Sequence, residues 1–415
     1  MIFLKPFKIG FFLAYRQIKK ANFWVNVLII FIMTVTFLNL VFISGLLSGL
    51  VSGASKDSRD HYSGDIIITP NEGNIYIIGT NRLIEEIRAI PELKSYSIRY
   101  FQGAQIEAGS SFFSQPNLKN NNINGIIVGV NFGNENKTTN LEKFIVAGDY
   151  ISENSQNKVL IGSGLLKEYE SAIEGNILEG VRVGDRIKIT AAENPKEYIV
   201  GGILKSKLSQ INNRVFLDTK QFVALTGRSF QFSDEIALTV SDPQKIDIIK
   251  DDLFIKAEMF DAKVETWQES QGQFFEDLSV TFTILGAVIG AIGLSVASVT
   301  LFIVIFINAI SREKYIGILK GIGIRGFIIK CSYVFQSIFY AFIGSLMGLI
   351  LLYLFLVPYF EENPIDFPFS DGILDVTVEG VLLRVTILFV SSIAAGLIPS
   401  HLIVKKNTID SILGR

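Results

Sequence analysis

Four apolar stretches, 23–51, 279–309, 327–357 and 380–404, constrain this chain more than any other feature. Crossing the hydrocarbon core of a bilayer as a helix takes roughly 20 largely apolar residues, and each stretch meets that length. A chain with four such runs cannot fold as a single water-soluble globule, so the sequence predicts an integral membrane protein. Its make-up agrees: 49% of the 415 residues are hydrophobic, 33 of them Phe, and the mean hydropathy is +0.40. The first stretch is far longer than the roughly 7–15 residues of a signal h-region, and it reads as an uncleaved anchor.

Basic residues near the span ends set the expected orientation. Lys5, Lys8, Arg16, Lys19 and Lys20 precede the first span; Arg312, Lys314, Lys320, Arg325 and Lys330 lie in or beside the link between the second and third; Lys405, Lys406 and Arg415 follow the fourth. The connection 358–379 instead carries Glu361, Glu362, Asp366, Asp371, Asp375 and Glu379 with no Lys or Arg. Both termini and the 311–325 link are expected in the cytoplasm, with 52–278 outside as one large domain and the multi-pass chain in a bacterial inner membrane. The net charge of −2 argues against nucleic acid as a partner. With Cys331 as its one cysteine, the chain leaves the outer domain no disulfide, and about 220 residues suffice for an ordinary core.

Residues 1–22 carry Phe7, Phe11, Ala14 and Ile18 at helical spacing, with Lys8, Arg16, Lys19 and Lys20 on other faces, as in a helix lying in the membrane interface. A basic flank that only fixes topology is the alternative. Gly45, Gly49 and Gly53 recur every fourth residue, a pattern that lets helix backbones approach closely and a candidate seam between two copies. The outer domain opens with a strand at 65–69, a helix at 81–90 capped by Asn81 and stopped by Pro91, and a strand at 96–108. The same grammar returns as a strand at 235–240, a helix behind Pro243 and a strand at 263–267.

Two strand–helix–strand halves, about 64–108 and 234–268, are the parts of a ferredoxin-like split unit. Between them, 109–233 reads as a β-rich inserted lobe. Its strands are expected at 123–130, 158–161, 181–190, 198–204 and 214–217, its short helices at 164–170 and at 219–226 behind Asp218, with a turn at Gly184-Asp185 and a loop at 115–122. The fold class is therefore an α-helical membrane protein with four transmembrane helices plus an α+β extracytoplasmic domain.

Catalytic signatures are missing. There is no G-x-x-x-x-G-K-[ST], so ATP phosphates are not held by a P-loop, and Gly317, Gly321 and Gly323 lack the preceding strand that a nucleotide loop needs. His61 and His401 are expected at surface or interface positions, no Cys/His cluster has metal-ligand spacing, and Asp57, Arg59, Asp60 and His61 read as a solvated stalk. The spans carry almost no ionisable residues beyond Arg384, which is expected to snorkel; this counts against an ion-coupled transporter.

The basic break between spans two and three combines charge with two apolar stripes, Ile318/Ile322 and Ile316/Leu319. Arg312 followed by Ile316-Gly317-Ile318-Leu319-Lys320-Gly321-Ile322-Gly323 resembles the R-x-x-E-I-G-I-L-K-A-x-G coupling segment of FtsX/MacB-type permeases of ABC transporters. Gly396-Leu397-Ile398-Pro399-Ser400 and Asn407-Thr408-Ile409-Asp410-Ser411-Ile412-Leu413 resemble that family's G-L-x-P-A and N-P-x-x-x-L tail. The chain departs at Tyr315, where the family has glutamate, and at Thr408, where it has proline; Glu313 offers a carboxylate on a different helix face.

The resemblance implies that residues 311–325 form a cytoplasmic coupling helix, with Arg312, Glu313, Tyr315, Ile316, Gly317, Leu319, Lys320, Gly321 and Gly323 meeting a separate ATP-binding subunit. That subunit, a dimer, would hold ATP and Mg, and this chain would bind no cofactor directly and have no catalytic residues of its own. A second permease copy or a paralogue completes the implied assembly. Glu265-Thr266-Trp267-Gln268-Glu269 is similar to the lipoprotein-releasing LolC/LolE branch, which implies a lipoprotein or periplasmic protein as the outer partner; the brief link 191–196 leaves no hook for a carrier. Two other readings stand beside this one: an FtsX-like regulator of a cell-wall hydrolase, and an ATP-independent membrane receptor or anchor.

Overall fold

The computed structural model describes residues 4–109, 121–152, 155–169, 177–367, 370–372 and 374–405. The chain divides into two compact units: Met1–Ser52, Glu276–Phe367 and Asp371–Arg415 form one, and Gly53–Phe275 with Pro368–Ser370 the other. The tail 407–413 and most of the tract 115–122 lie outside the described residues.

Four helical segments, Phe23–Ser63, Phe275–Ser311, Gly326–Glu362 and Val378–Lys405, are long and apolar enough to cross a membrane. The first two outrun their apolar stretches because the backbone has no stop sooner. One chain direction changes only at Gly64 (φ +66), after a π-turn at Arg59–Ser63, and the other starts at Gly272 (φ +68). A π-turn at Leu352–Leu356 interrupts the third segment just before Pro358, where proline has no N–H to give and crowds the preceding turn.

Packing in the membrane unit relies on small residues. A β-carbon at Gly344 would sit 2.4 Å from that of Met33, one at Gly348 2.3 Å from Phe37 Cδ1, and one at Gly396 2.6 Å from Ser337 Oγ. Around these contacts Ile29, Met33, Phe37, Leu301, Ile305 and Tyr340 form a common core. Three of its neutral polar groups form a chain: Tyr340 Oη donates to Asn26 Oδ1 (2.6 Å), Gln336 Nε2 to Tyr340 Oη (3.1 Å), and Asn26 Nδ2 to Ile18 O (3.0 Å). The basic helix Leu4–Lys20 packs on the third span as well. Gly10 lets it approach Cys331, and Phe7 and Phe11 meet Phe327 and Phe335 edge to face at 6.0 and 5.9 Å.

The other unit is built on strands β1 (Ile66–Pro70), β2 (Ile77–Ile78), β3 (Leu93–Ala108), β4 (Asn122–Val130), β5 (Ile145–Gly148), β6 (Lys158–Gly162), β7 (Arg186–Ala191), β8 (Asn194–Leu204), β9 (Arg214–Asp218), β10 (Phe232–Ser233), β11 (Glu235–Val240) and β12 (Ala262–Thr266). Ten of them join one sheet in the order β12-β1-β11-β3-β4-β9-β6-β8-β5, with β7 bridging β3 and β8. At one end β12, β1, β11 and β3 pair antiparallel. The helices Thr80–Arg88 and Ile246–Ala257 connect β1 to β3 and β11 to β12, and their Leu83, Ile87 and Leu253 share a core with Ile66, Ile68 and Ile236. At the other end β3, β4, β9, β6, β8 and β7 pair in a closed ring around a second core that includes Ile106, Ile127, Ile161, Val200 and Leu217. Strand β3 belongs to both: Leu93–Arg99 pairs with β11, and Gln105–Ala108 pairs with β7 on the same edge.

Several local expectations need correction. Asn81 is not the helix cap: Gly79 at φ +75 takes that place, and Thr80 Oγ1 is engaged by Ile77 O, Gln231 O and Ser233. At 164–170 a 3₁₀ turn, Ser163–Leu165, replaces the helix, since Leu166 leaves helical geometry to bridge Leu178; residue 170 is outside the described residues. The strand expected from 181 begins at Arg186, after a turn in which Arg182 N–H donates to Asp185 Oδ2 and Gly184 takes φ +93. Trp267 is helical, not extended, because Thr266 and Glu269 form a reciprocal capping box. Strand β5 and the helix Phe132–Thr139, capped by Asn131, lack the hydrophobic period that would announce them.

Candidate functional site

The segment between spans two and three folds as a helix, Glu313–Gly321. Its two apolar stripes separate cleanly. Ile316 is 3% exposed and packs with Leu319 into the membrane unit's core, whereas Tyr315, Ile318 and Ile322 are 70%, 51% and 71% exposed. Gly317 is buried, Arg312, Glu313 and Lys320 are half-buried, and Lys314 and Gly321 are exposed.

Two glycines in this segment do different work. Gly323 adopts φ +93 and closes the helix: Ile324 N–H donates to Leu319 O, and Gly323 N–H to Lys320 O, both at 3.0 Å. That is a Schellman stop, and Leu319 and Ile324 both pack against the unit's core. Gly321 has no positive φ, and a side chain there would meet nothing within 4 Å. Glycine in a helix costs about 1 kcal/mol relative to alanine, and nothing among the described residues requires it here. Glu313 is half-buried, whereas Tyr315, where the family has its glutamate, is exposed.

Gly45, Gly49 and Gly53 are buried within the chain itself. At Gly45 a β-carbon would lie 3.0 Å from Asp375 O, and Asp375 N–H donates to Gly45 O at 3.1 Å; the close approach expected between copies is made there by the same chain. Arg384 is held by three neighbouring oxygens. Its Nε donates to Leu40 O (3.0 Å), its Nη1 to Gly380 O (2.7 Å) and its Nη2 to Ser44 Oγ.

Of the residues expected as a solvated stalk, Asp60 is exposed, but Arg59 and His61 are tied into the fold next to a buried charge cluster. Arg59 pairs with Asp65 at 2.5 Å and lies over the Trp267 ring, and His61 Nδ1 is 3.0 Å from Thr139 O. Beyond them Arg99, 2% exposed, bridges Glu135 at 2.7 Å and Glu235 at 2.8 Å, donates to Tyr62 O at 2.7 Å, and lies over the Tyr62 ring. Burial opposes the guanidinium charge, but the two carboxylates outweigh it and raise the Arg99 pKa. For Glu135, burial pushes upward, and Arg99 with the hydroxyls of Ser97 and Thr139 pulls the value below the ordinary carboxylate range. The sequence signal for this cluster was weak, because its members are separated by up to 173 residues. Among the described residues no group of three or more His, Cys, Asp or Glu side chains could hold a metal ion.

A family model described as the MacB-like periplasmic core domain matches residues 27–253, more than half of the chain, and one described as the FtsX-like permease C-terminal matches residues 287–408. Among solved structures, the periplasmic region of MacB from Actinobacillus actinomycetemcomitans is similar at 10% identity over 52% of this chain and 95% of that one, with a TM-score of 0.38. The extracellular domain of the noncanonic ABC-type transporter YknZ from Gram-positive bacteria is similar at 9% identity over 49% and 99%, with a TM-score of 0.34. No curated protein sequence matches the chain. With four candidate spans, a β-rich unit mostly within the first match and the helix Glu313–Gly321 inside the second, the chain belongs to the FtsX/MacB-type permeases of ABC transporters, membrane proteins with an extracellular domain.

Proposed function

We propose that this permease couples ATP hydrolysis in a separate subunit to motion of its extracellular domain, through the helix Glu313–Gly321. The observation that carries this reading is the exposed stripe of Tyr315, Ile318 and Ile322 beside the open surface at Gly321. An exposed apolar stripe on a helix is suited to a groove on another protein, and the partner is an ATP-binding subunit, present as a dimer, which holds ATP and Mg. Two copies of this chain, or one copy with a paralogue, face that dimer. The chain sits in the bacterial inner membrane with its termini and this helix in the cytoplasm, as its basic residues favour.

Arg312, Glu313, Ile316, Gly317, Leu319, Lys320 and Gly323 then have a supporting role: they fix and end the helix that presents the stripe. In this mechanism the partner binds one arrangement of the spans better than the other and shifts the population between them. The helices Phe23–Ser58 and Gly272–Ser311 lead into the outer domain. We read its β12-β1-β11-β3 order with two crossover helices as a ferredoxin-like split unit, and β3–β9 as the inserted lobe. For cargo we propose release of lipid-anchored proteins from the membrane, supported by the likeness of residues 265–269 to that branch. Thr266, Trp267 and Glu269 also have a fold-building duty there, as cap and ring partner. The two-residue turn Ala192-Glu193 between β7 and β8 is too short for a carrier-binding hook.

The test is co-purification. Ile318→Asp with Ile322→Asp should leave the permease folded and abolish recovery of the ATP-binding subunit, because both side chains are exposed. Undiminished recovery and ATP turnover would defeat the proposal. Gly317→Asp and Leu319→Asp are poorer probes, since they place charge in the unit's core.

A further inference from the structure

We propose that the membrane unit holds the headgroup of a zwitterionic aminophospholipid at the end where helix Val378–Lys405 begins, with Arg384 taking the phosphate and Asp375 the ammonium. Arg384 donates to three neutral acceptors, Leu40 O, Gly380 O and Ser44 Oγ. Among the described residues no carboxylate lies within ion-pair distance of it. A guanidinium has five N–H groups, so two remain beyond these bonds. A charge within an apolar span is costly and marks a functional position when nothing in the protein neutralises it.

Beside the guanidinium lies a cavity of about 50 Å³, lined also by Ser44, Ser48, Thr377, Gly45 and Asp375. One water needs roughly 10–15 Å³ on this measure, so there is room for a polar group of several atoms. Ser44 Oγ accepts from Arg384 and keeps its own proton to donate, and Ser48 is exposed, so the cavity reaches the surface. A planar guanidinium with adjacent hydroxyl donors suits a phosphate.

Asp375 supplies the selectivity. Its backbone is pinned by the bond to Gly45 O, and it lines the same cavity as Arg384 without pairing with it. A headgroup that carries phosphate and a primary ammonium spans two such opposite charges. A purely anionic headgroup would meet the carboxylate unfavourably, and a quaternary ammonium could not donate to it. Leu382 and Leu383, 61% and 59% exposed, leave apolar surface nearby for acyl chains.

The full-length protein, reconstituted with equal phosphatidylethanolamine and phosphatidylglycerol and re-extracted in mild detergent, should retain about tenfold more of the former, a difference of roughly 1.4 kcal/mol. Arg384→Gln should lose the retained lipid. Asp375→Asn, which leaves Arg384 in place, should keep lipid but bring phosphatidylglycerol to parity. Soluble phosphoethanolamine at millimolar concentration should leave the retained lipid in place; displacement would mean that a free phosphomonoester, not a lipid, is the ligand, and would overturn the proposal. Equal retention of both lipids by the wild type, or an Asp375→Asn variant with unchanged preference, would overturn it as well, whether or not Arg384→Gln folds.

Discussion

The two units solve the same problem, holding polar groups inside, in opposite ways. The sheet unit buries an arginine between two glutamates and satisfies each with further hydrogen bonds. The membrane unit keeps to neutral groups in its core, the Asn26–Tyr340–Gln336 chain, and gains cohesion from glycines that bring backbones together. The difference follows from the surroundings. In water, burying apolar surface stabilises the sheet unit enough to tolerate a desolvated charge triad. Between helices in lipid that driving force is absent, and close packing must replace it.

The contrast can be tested with Trp267 as the reporter of the sheet unit in a Trp24→Phe background. The largest effect is expected from Arg99→Met, which strands two buried carboxylates. Breaking a buried pair costs about 3–5 kcal/mol, to be read as a drop in the denaturant midpoint of Trp267 fluorescence. A midpoint within about 0.5 kcal/mol of wild type, the usual range for surface changes, would show that the cluster is not integral to the unit.

Glu135→Gln comes next, at about 1.5–3 kcal/mol for lost hydrogen bonds to a charged group, and it has a pH signature. The folded value of Glu135 is depressed, so its contribution is present above the unfolded carboxylate value, about 4.3, and is lost as pH falls through the folded value. The gap between wild type and Glu135→Gln should therefore be full at neutral pH and close in acid. Asp234, whose value burial raises against the pull of the Phe101 N–H and Arg228, works in the other direction and is common to both proteins. A gap that is constant with pH would remove Glu135 from the account.

In the membrane unit, Gly348→Val would drive a side chain into Phe37. Overpacking of this kind costs about 1–3 kcal/mol, measurable as a lowered unfolding midpoint in detergent. The smallest effect, about 1 kcal/mol, is expected for Thr266→Ala, which removes the helix cap at residue 267; an unchanged Trp267 midpoint would count against the cap.

What the sequence made legible was whatever has a short period. The four spans, the helix behind Asp218 and the strand Glu235–Val240 were readable from neighbours within one or two turns. The stripes Ile318/Ile322 and Ile316/Leu319 were visible as spacing, but which faces inward depends on packing against residues such as Ile305 and Tyr333. His61 read as a surface residue and Arg99 gave no signal, because their partners come from other parts of the fold. The ring closed by β7 was hidden for the same reason: Gln105 opposite Thr190 is a pairing that no local pattern encodes. Gly45 was recognised as a point of close approach, yet its partner, Asp375 on a distant loop, could not be read from a four-residue repeat.

Strand β3 has a consequence for how the protein is made. It emerges early, yet one edge of it waits for β11, about 136 residues later, and β1 waits for β11 and β12 on its two sides. Contacts this distant form slowly, and unpaired edges are open to wrong partners until they form. During synthesis, then, the first span enters the membrane well before the sheet beside it in sequence can close. A chain cut short near residue 230 would display both edges and should aggregate, whereas extension past Thr266 should rescue it.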